Sequence, residues 1–183
     1  MSVAARAEPD ALTVASVTIA WTILGNKPFY PLYVWWLIDK DAAIVSLWTL
    51  VATPLFAAVP YLARRNGRAA RLTLVLAGIV DTAFASLMLG AGTGAVYFFF
   101  PCLMISALCF RVSEPWFSRG TAVLAFIAFA ALAKFGGAGV HGWTAEQART
   151  LDGLNLYCAI ALSAFIVLRF STVARDGAAP LDA

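Results

Sequence analysis

Residues 69–89 read AARLTLVLAGIVDTAFASLML, and Arg71 and Asp81 are the only charged side chains among them. A helix rises about 1.5 Å per residue, so a run of this length spans the roughly 30 Å hydrocarbon core of a bilayer. The run therefore predicts a transmembrane helix. Asp81 follows Arg71 by ten residues, which puts its carboxyl about 15 Å deep, near the bilayer midplane.

The composition of the whole chain extends this prediction. Of its 183 residues 62% are hydrophobic and 13% are charged, against about 45–50% and about 25% in ordinary soluble domains. The solvent around most of the chain is therefore expected to be lipid. The formal net charge is only +3, and the arginines that produce it lie between apolar runs, so no nucleic-acid partner is indicated.

The apolar runs predict an all-α fold, a polytopic membrane bundle of six transmembrane helices. Connections between the runs are short, so neighbouring helices should be antiparallel. Residues 1–10 and 171–183 are expected to be cytoplasmic, and no cleaved signal peptide is indicated at the start. The six predicted spans cover residues 11–38, 42–63, 69–89, 94–110, 118–136 and 151–170.

The first run is interrupted by GNKP at residues 25–28. Two crossings on either side of this break would have only about 11 to 14 residues each, too few to span a bilayer. One long helix, kinked or partly unwound by Pro28 and Pro31, is therefore favoured, with Asn26 or a neighbouring helix satisfying the freed carbonyls.

Basic residues in alternate connections predict the orientation. Cytoplasmic loops carry an excess of arginine and lysine, so the arginine-bearing connections and both chain ends are assigned to the cytoplasm, in the cell inner membrane. The opposite side carries few basic residues. The topology determinants are Arg64, Arg65, Arg68, Arg71, Arg111 and Arg119, with Arg169 and Arg175 at the start of the tail.

Ionisable groups deep in a bilayer are candidates for function because they are costly to insert. Asp81 is the clearest case, and Lys27, beside Asn26 in the broken first run, would lie somewhat nearer the outside. One hypothesis is that Lys27 and Asp81 face the bundle interior and pair, or line a small polar cavity. The alternative is that Asp81 is structural, held by Ser or Thr hydroxyls.

Catalytic and cofactor motifs are missing from the sequence. It contains no GxSxG, HExxH or P-loop pattern, so an enzyme is not expected. His141 is the single histidine, which disfavours bis-His haem or a His-rich metal site within one chain. Cys102, Cys109 and Cys158 lack CxxC spacing and are expected to be buried small hydrophobes. No cofactor or metal is predicted.

Four short pieces of sequence carry a family resemblance: RRNGR at 64–68, LGAGTGAVYFFFP at 89–101, FR at 110–111 and LNL at 154–156. In this order they resemble the six-helix membrane input region of some bacterial class III adenylate cyclases and diguanylate cyclases. The resemblance implies a bacterial sensory input module, which has no catalytic residues in this region. Only residues 171–183 follow the sixth run, so we expect output to be delivered to another polypeptide.

Three functional hypotheses follow. The first is a non-enzymatic sensory or regulatory membrane protein that acts through helix contacts with itself or with another membrane protein. The second is a small transporter, or a substrate-binding membrane subunit of a transporter, in which Lys27 and Asp81 would form the substrate or proton site. The third is a membrane assembly factor.

Overall fold

The computed structural model describes residues 10–177, and that part of the chain is helical without strands, as the all-α prediction requires. Residues 1–9 and 178–183, which belong to the two predicted cytoplasmic ends, lie outside the described residues. The α-helices are α1 (Ala11–Asn26), α2 (Phe29–Leu37), α3 (Lys40–Ser46), α4 (Thr53–Ala63), α5 (Gly67–Leu89), α6 (Phe99–Leu108), α7 (Pro115–Phe135) and α8 (Ala145–Gly177), with 3-10 turns at Leu47–Leu50, Ala91–Thr93 and Ala95–Phe98.

Four helical stretches are long and apolar enough to cross a membrane, and two further apolar helices are shorter. The long stretches are Lys40–Ala63, Gly67–Leu89, Pro115–Phe135 and Ala145–Arg175, and the shorter ones are Ala11–Asn26 and Ala95–Leu108. Each of the six predicted runs thus overlaps an apolar helix. By length alone, the first and fourth fall short of a full span.

The first run is broken where the sequence predicts it. α1 ends at Asn26, and α2 starts after Lys27 and Pro28, whose backbone angles remain in the right-handed helical region. Proline has no N–H to donate to the preceding turn, so the hydrogen-bond ladder is interrupted there. The second run has a comparable interruption at the 3-10 turn Leu47–Leu50, which the sequence analysis did not anticipate.

Helix α5 lies at the centre of the bundle and contacts α1, α4, α6 and α7. The side chain of Asn66 caps its start by accepting a hydrogen bond from the N–H of Ala69 over 3.0 Å, and Gly90, at φ +91°, ends it. Many residues in its contacts are small, which lets helices in lipid approach closely without a hydrophobic driving force. The buried small residues include Ala15, Ser16, Ala20, Ala70, Ala77 and Ala125.

Large apolar side chains cover the outside of the bundle. On α7, Leu124, Phe126 and Ile127 are 44–59% exposed, and on α2 Trp36 is 84% exposed. A continuous apolar surface of this extent is not stable in water and marks contact with a membrane. The predicted lipid environment therefore agrees with where the fold places these side chains.

The connections between the runs meet at two ends of the bundle. At one end Asp10, before α1, contacts Arg71 at the start of α5 and Arg111 in the loop between α6 and α7. At the other end Asp39, before α3, accepts a hydrogen bond from the Gln147 side chain in the first turn of α8. These contacts group Asp10, Arg71 and Arg111 at one end of the bundle and Asp39 and Gln147 at the other.

The loop between α7 and α8 lies over the end of α5. The N–H of Ala91 donates to the carbonyl of Gly137 over 3.0 Å, and the indole of Trp143 donates to the carbonyl of Leu89 over 2.6 Å. Gly90 and Gly139 both have positive φ, and a Cβ atom on Gly90 would lie 2.3 Å from a backbone oxygen of Ala138. Trp143 is thus half-buried and hydrogen-bonded to the bundle.

Helix α8 is longer than the predicted span 151–170. It starts at Ala145, six residues earlier, and continues to Gly177, into the segment assigned to the tail. Its 33 residues correspond to about 50 Å of helix.

Candidate functional site

A cavity of about 510 Å³ lies inside the bundle between the α1–α2 break, α5, α6 and α8. Its volume is in the range of ligand pockets, about 300–1,000 Å³. Most of the wall is apolar. Its polar lining residues are Thr22, Asn26, Lys27, Tyr30, Tyr33, Thr49, Asp81, Thr82 and Asn155, with the thiols of Cys102 and Cys158.

Lys27 and Asp81 form an ion pair at this cavity. The Lys27 Nζ lies 2.7 Å from Asp81 Oδ1, and the two side chains are only 9% and 20% exposed. Lys27 also donates a hydrogen bond to the carbonyl of Thr49, and its ammonium lies 5.6 Å from the centre of the Phe56 ring. The two side chains thus pair, as one of the hypotheses had it, and they line a cavity whose wall is mostly apolar and not the small polar one expected. Asp81 accepts its hydrogen bond from Lys27, and no Ser or Thr hydroxyl among the described residues donates to it.

Two interruptions of helical structure build this arrangement. Lys27 sits in the break that Pro28 makes between α1 and α2, so its side chain leaves the helix surface near the middle of α5. The carbonyl of Thr49 belongs to the 3-10 turn Leu47–Leu50. Carbonyls at such irregular points need partners from outside their own helix, and Lys27 supplies one.

The remaining polar groups of the cavity differ in how well they are satisfied. Asn155 is buried and donates to the carbonyl of Thr93 over 2.8 Å. The hydroxyl of Tyr30 is buried and has no hydrogen-bond partner among residues 10–177. Asn26, expected to cover freed carbonyls, is exposed and lines the cavity instead.

A second cluster of charges lies at the arginine-bearing end of the bundle. Arg71 is 2% exposed, and its guanidinium donates to both carboxylate oxygens of Asp10 and to both of Glu114 over 2.8–3.1 Å. Arg68 donates to Glu114 over 2.7 Å, and Arg111 lies 3.2 Å from Asp10. The cluster ties the starts of α1, α5 and α7 together.

The electrostatics of this cluster favour its charged state. Burial alone would raise the pKa of Glu114, but the backbone N–H of Arg111 and the side chains of Arg68 and Arg71 outweigh it and hold the pKa below its usual value. The pKa of Asp10 is likewise lowered: hydrogen bonds from Thr13 and the charge of Arg71 overcome the effect of burial.

The six topology determinants differ in their surroundings. Arg64, Arg65 and Arg119 are exposed, whereas Arg68 and Arg111 are exposed and also contact the carboxylates of the cluster. Arg71 is buried within the carboxylate cluster, a role the sequence analysis missed together with Asp10 and Glu114. The available signal was the position of both acids directly before helices and near arginines. Tyr30 and Asn155 were also missed, because neither carries a charge.

Comparison with known proteins gives a family match over nearly the whole chain. The family model of MASE7, a membrane-associated sensory domain family, matches residues 4–174. The matched residues include every residue that lines the cavity and all three helix starts joined by the Arg71 cluster. No curated protein and no solved structure matches the chain.

Proposed function

The chain belongs to the MASE7 family of membrane-associated sensory domains, and on this premise we propose that it is a non-enzymatic sensory module of the cell inner membrane. It crosses the bilayer six times with both ends in the cytoplasm. It receives its input at the cavity beside Lys27 and Asp81. Its output passes through helix contacts to another membrane protein or to a second copy.

The observation that carries this proposal is the path of α8. Asn155, Cys158 and Phe165 on this helix line the cavity, and the same helix continues without a break to Gly177. At about 1.5 Å per residue, α8 is about 20 Å longer than the hydrocarbon core. A change of tilt or rotation at the cavity would therefore be carried to the membrane surface by one rigid element.

Six crossings are supported by where the connections meet. Connections that the arginine pattern assigns to the same side are joined by ion pairs or hydrogen bonds at the same end of the bundle. Neighbouring helical residues extend the two short apolar helices: α2 follows Ala11–Asn26, and the 3-10 turn Ala91–Thr93 precedes Ala95–Leu108. Irregular backbone at membrane depth is tolerated where it is buried in protein or lines a cavity.

A ligand can act here only by binding one conformation better than another. The ion pair between Lys27 and Asp81 joins the α1–α2 break to α5, whereas Asn155 and Cys158 belong to α8. A molecule that fills the space between them changes the relative stability of the arrangements of α8 against the other helices.

Cross-linking from α8 tests the proposal. A photoreactive amino acid replaces Leu168, which is exposed near the arginine-bearing end of α8, and in a control it replaces the equally lipid-facing Val123 on α7. We expect a specific adduct with a partner or a second copy from position 168 and none from position 123. Equal yields, or no adduct from position 168 in native membranes, would contradict output through α8.

A second candidate function, a small transporter, is favoured by the same buried ion pair, since intramembrane charges also mark substrate and proton pathways. Purification with native partners separates the candidates. A co-purifying ATPase supports transport, a cyclase or kinase supports sensing, and a respiratory or secretory complex supports an assembly factor.

A further inference from the structure

We infer that the cavity binds an uncharged amphipathic molecule that enters sideways from the bilayer, with a hydrogen-bonding head group at Lys27, Asp81 and Tyr30 and an apolar tail along the aromatic wall. The role of this molecule as the sensory input rests on the proposed function. Its binding does not.

The charges at the cavity argue for a neutral ligand. Among the described lining residues, Lys27 and Asp81 are the charged side chains, and they compensate each other at 2.7 Å. An anionic ligand would have to draw Lys27 away from Asp81, and a cationic ligand would have to draw Asp81 away from Lys27. Either exchange leaves a buried charge without its partner, a penalty that corresponds to about a hundredfold loss of affinity.

Spare hydrogen-bonding capacity at the same place argues for a polar head group. An ammonium has three donors, of which Lys27 uses one on Asp81 and one on the Thr49 carbonyl. Within the described residues Asp81 accepts the Lys27 hydrogen bond through Oδ1, which leaves Oδ2 available. The buried hydroxyl of Tyr30 makes no hydrogen bond of standard geometry in the same part of the chain, and the Asn155 side chain lies close to it. A hydroxyl, keto or amide group can use both the donors and the acceptors.

The rest of the wall argues for a hydrophobic tail. The apolar residues that line the cavity include Leu74, Phe98, Ile105, Leu162 and Phe165, together with Phe56, whose ring lies beside the Lys27 ammonium. Burying each methylene against such a surface is favourable in water. For a ligand already dissolved in lipid, close packing against the wall takes over that role.

The direction of entry follows from which lining residues are exposed. Thr22, Asn26 and Tyr33 on α1 and α2, and Ala161 on α8, line the cavity and are exposed. Nearer the arginine-bearing end, α1 and α8 approach each other at Thr18 and Arg169. The gap between the α1–α2 break and α8 therefore opens at membrane depth, toward lipid.

Photolabelling of the purified chain in phosphatidylcholine nanodiscs tests the inference. Three probes share one ten-carbon chain with a diazirine and differ only in a hydroxyl, an ammonium or a sulfonate head group. The charge penalty lowers the affinity of either charged probe about a hundredfold, so the hydroxyl probe should label cavity-lining peptides at least about tenfold more than either, and unlabelled decanol should compete. Equal labelling by the three probes, preferential labelling by a charged one, or labelling confined to lipid-facing residues would overturn it.

Two variants with matched controls locate the binding. Ala85→Phe fills the cavity, and Val80→Phe adds the same ring to the exposed face of the same helix. Only the first should abolish labelling. Tyr30→Phe keeps the volume but removes the free hydroxyl, so it should weaken labelling by the hydroxyl probe and spare a headless alkyl probe. If Ala85→Phe does not fold, the labelling of Tyr30→Phe by the hydroxyl probe and by the headless alkyl probe decides the question. Because partner cross-linking is measured separately, failure of labelling leaves the output of α8 as a distinct result.

Discussion

Lys27 donates a hydrogen bond to Asp81 over 2.7 Å and thereby ties the break between α1 and α2 to the middle of α5. The two residues are 54 positions apart in sequence and share one end of the cavity. The contact joins a helix interruption, a buried charge and a candidate ligand site in one place. Substitutions at this pair therefore test the packing of the bundle and the site together.

Removing one member of the Lys27–Asp81 pair should lower stability more than removing both. Asp81→Leu or Lys27→Met alone leaves a buried charge without its partner, and we expect a loss of about 3 kcal/mol of stability in each. The double variant Lys27→Met/Asp81→Leu should recover most of it. Thermal unfolding in detergent, followed by size-exclusion chromatography, measures the three variants. Single variants as stable as the parent chain would contradict a stabilising pair.

The Arg71 cluster should contribute more to the stability of the fold than the exposed arginines do. Arg71→Met leaves Asp10 and Glu114 without their central partner, so we expect a loss of about 3–5 kcal/mol. Arg119→Met, at an exposed arginine, should change stability by less than about 1 kcal/mol. The same unfolding assay compares them, and similar losses in both variants would show that Arg71 acts only as a topology signal.

Stability should fall on acidification because of the same cluster. The pKa values of Asp10 and Glu114 are lowered from 3.8 and 4.5, so the folded state binds these protons less readily than the unfolded state. Their contribution is complete above those values and is lost as the pH falls through the lower folded-state pKa values. Unfolding midpoints measured from pH 7 to pH 3 should decline at the acid end. Glu114→Gln should be less stable at pH 7 and show a shallower decline; an unchanged slope would contradict this assignment.

Two glycines in one connection should differ in their tolerance of alanine. Gly90 has φ +91°, and an added Cβ would lie 2.3 Å from the carbonyl oxygen of Ala138, whereas nothing lies within 4 Å of a Cβ on Gly92. Backbone strain of this kind costs about 1–3 kcal/mol, and the overlap adds to it. Gly90→Ala should lower the unfolding midpoint, and Gly92→Ala should leave it unchanged. Equal effects would contradict the packing of the α7–α8 loop on α5.

Much of the candidate site could be predicted because charged side chains are costly to insert into a bilayer and are therefore rare within apolar runs. Asp81 and Lys27 are far from the ends of apolar runs, and that alone singles them out. The Pro28 break was equally visible, because proline removes a backbone donor whatever the tertiary structure. The pairing of the two side chains was one of several arrangements that the sequence left open, and helix packing selected it.

Other features depend on tertiary structure and leave weak sequence signals. Arg71 resembles its neighbours in sequence, and only the approach of Asp10 and Glu114 makes it a buried partner. The 3-10 turn Leu47–Leu50 interrupts an apolar run without a glycine or proline inside it. The extension of α8 beyond residue 170 was hidden by a change from apolar to mixed composition, which ends a predicted span and leaves the helix intact.

The most direct test of the account is the side of the membrane on which each connection lies. Single cysteines replace exposed residues in a chain from which Cys102, Cys109 and Cys158 have been removed. The labelling positions are Lys40, Gly92 and Ala145 for one side, and Arg65 and Val112 for the other. A membrane-impermeant maleimide should label the first three in intact spheroplasts, and the last two only after permeabilisation. Labelling of position 65 from outside, or protection of position 40, would contradict six crossings with the arginine-bearing connections in the cytoplasm.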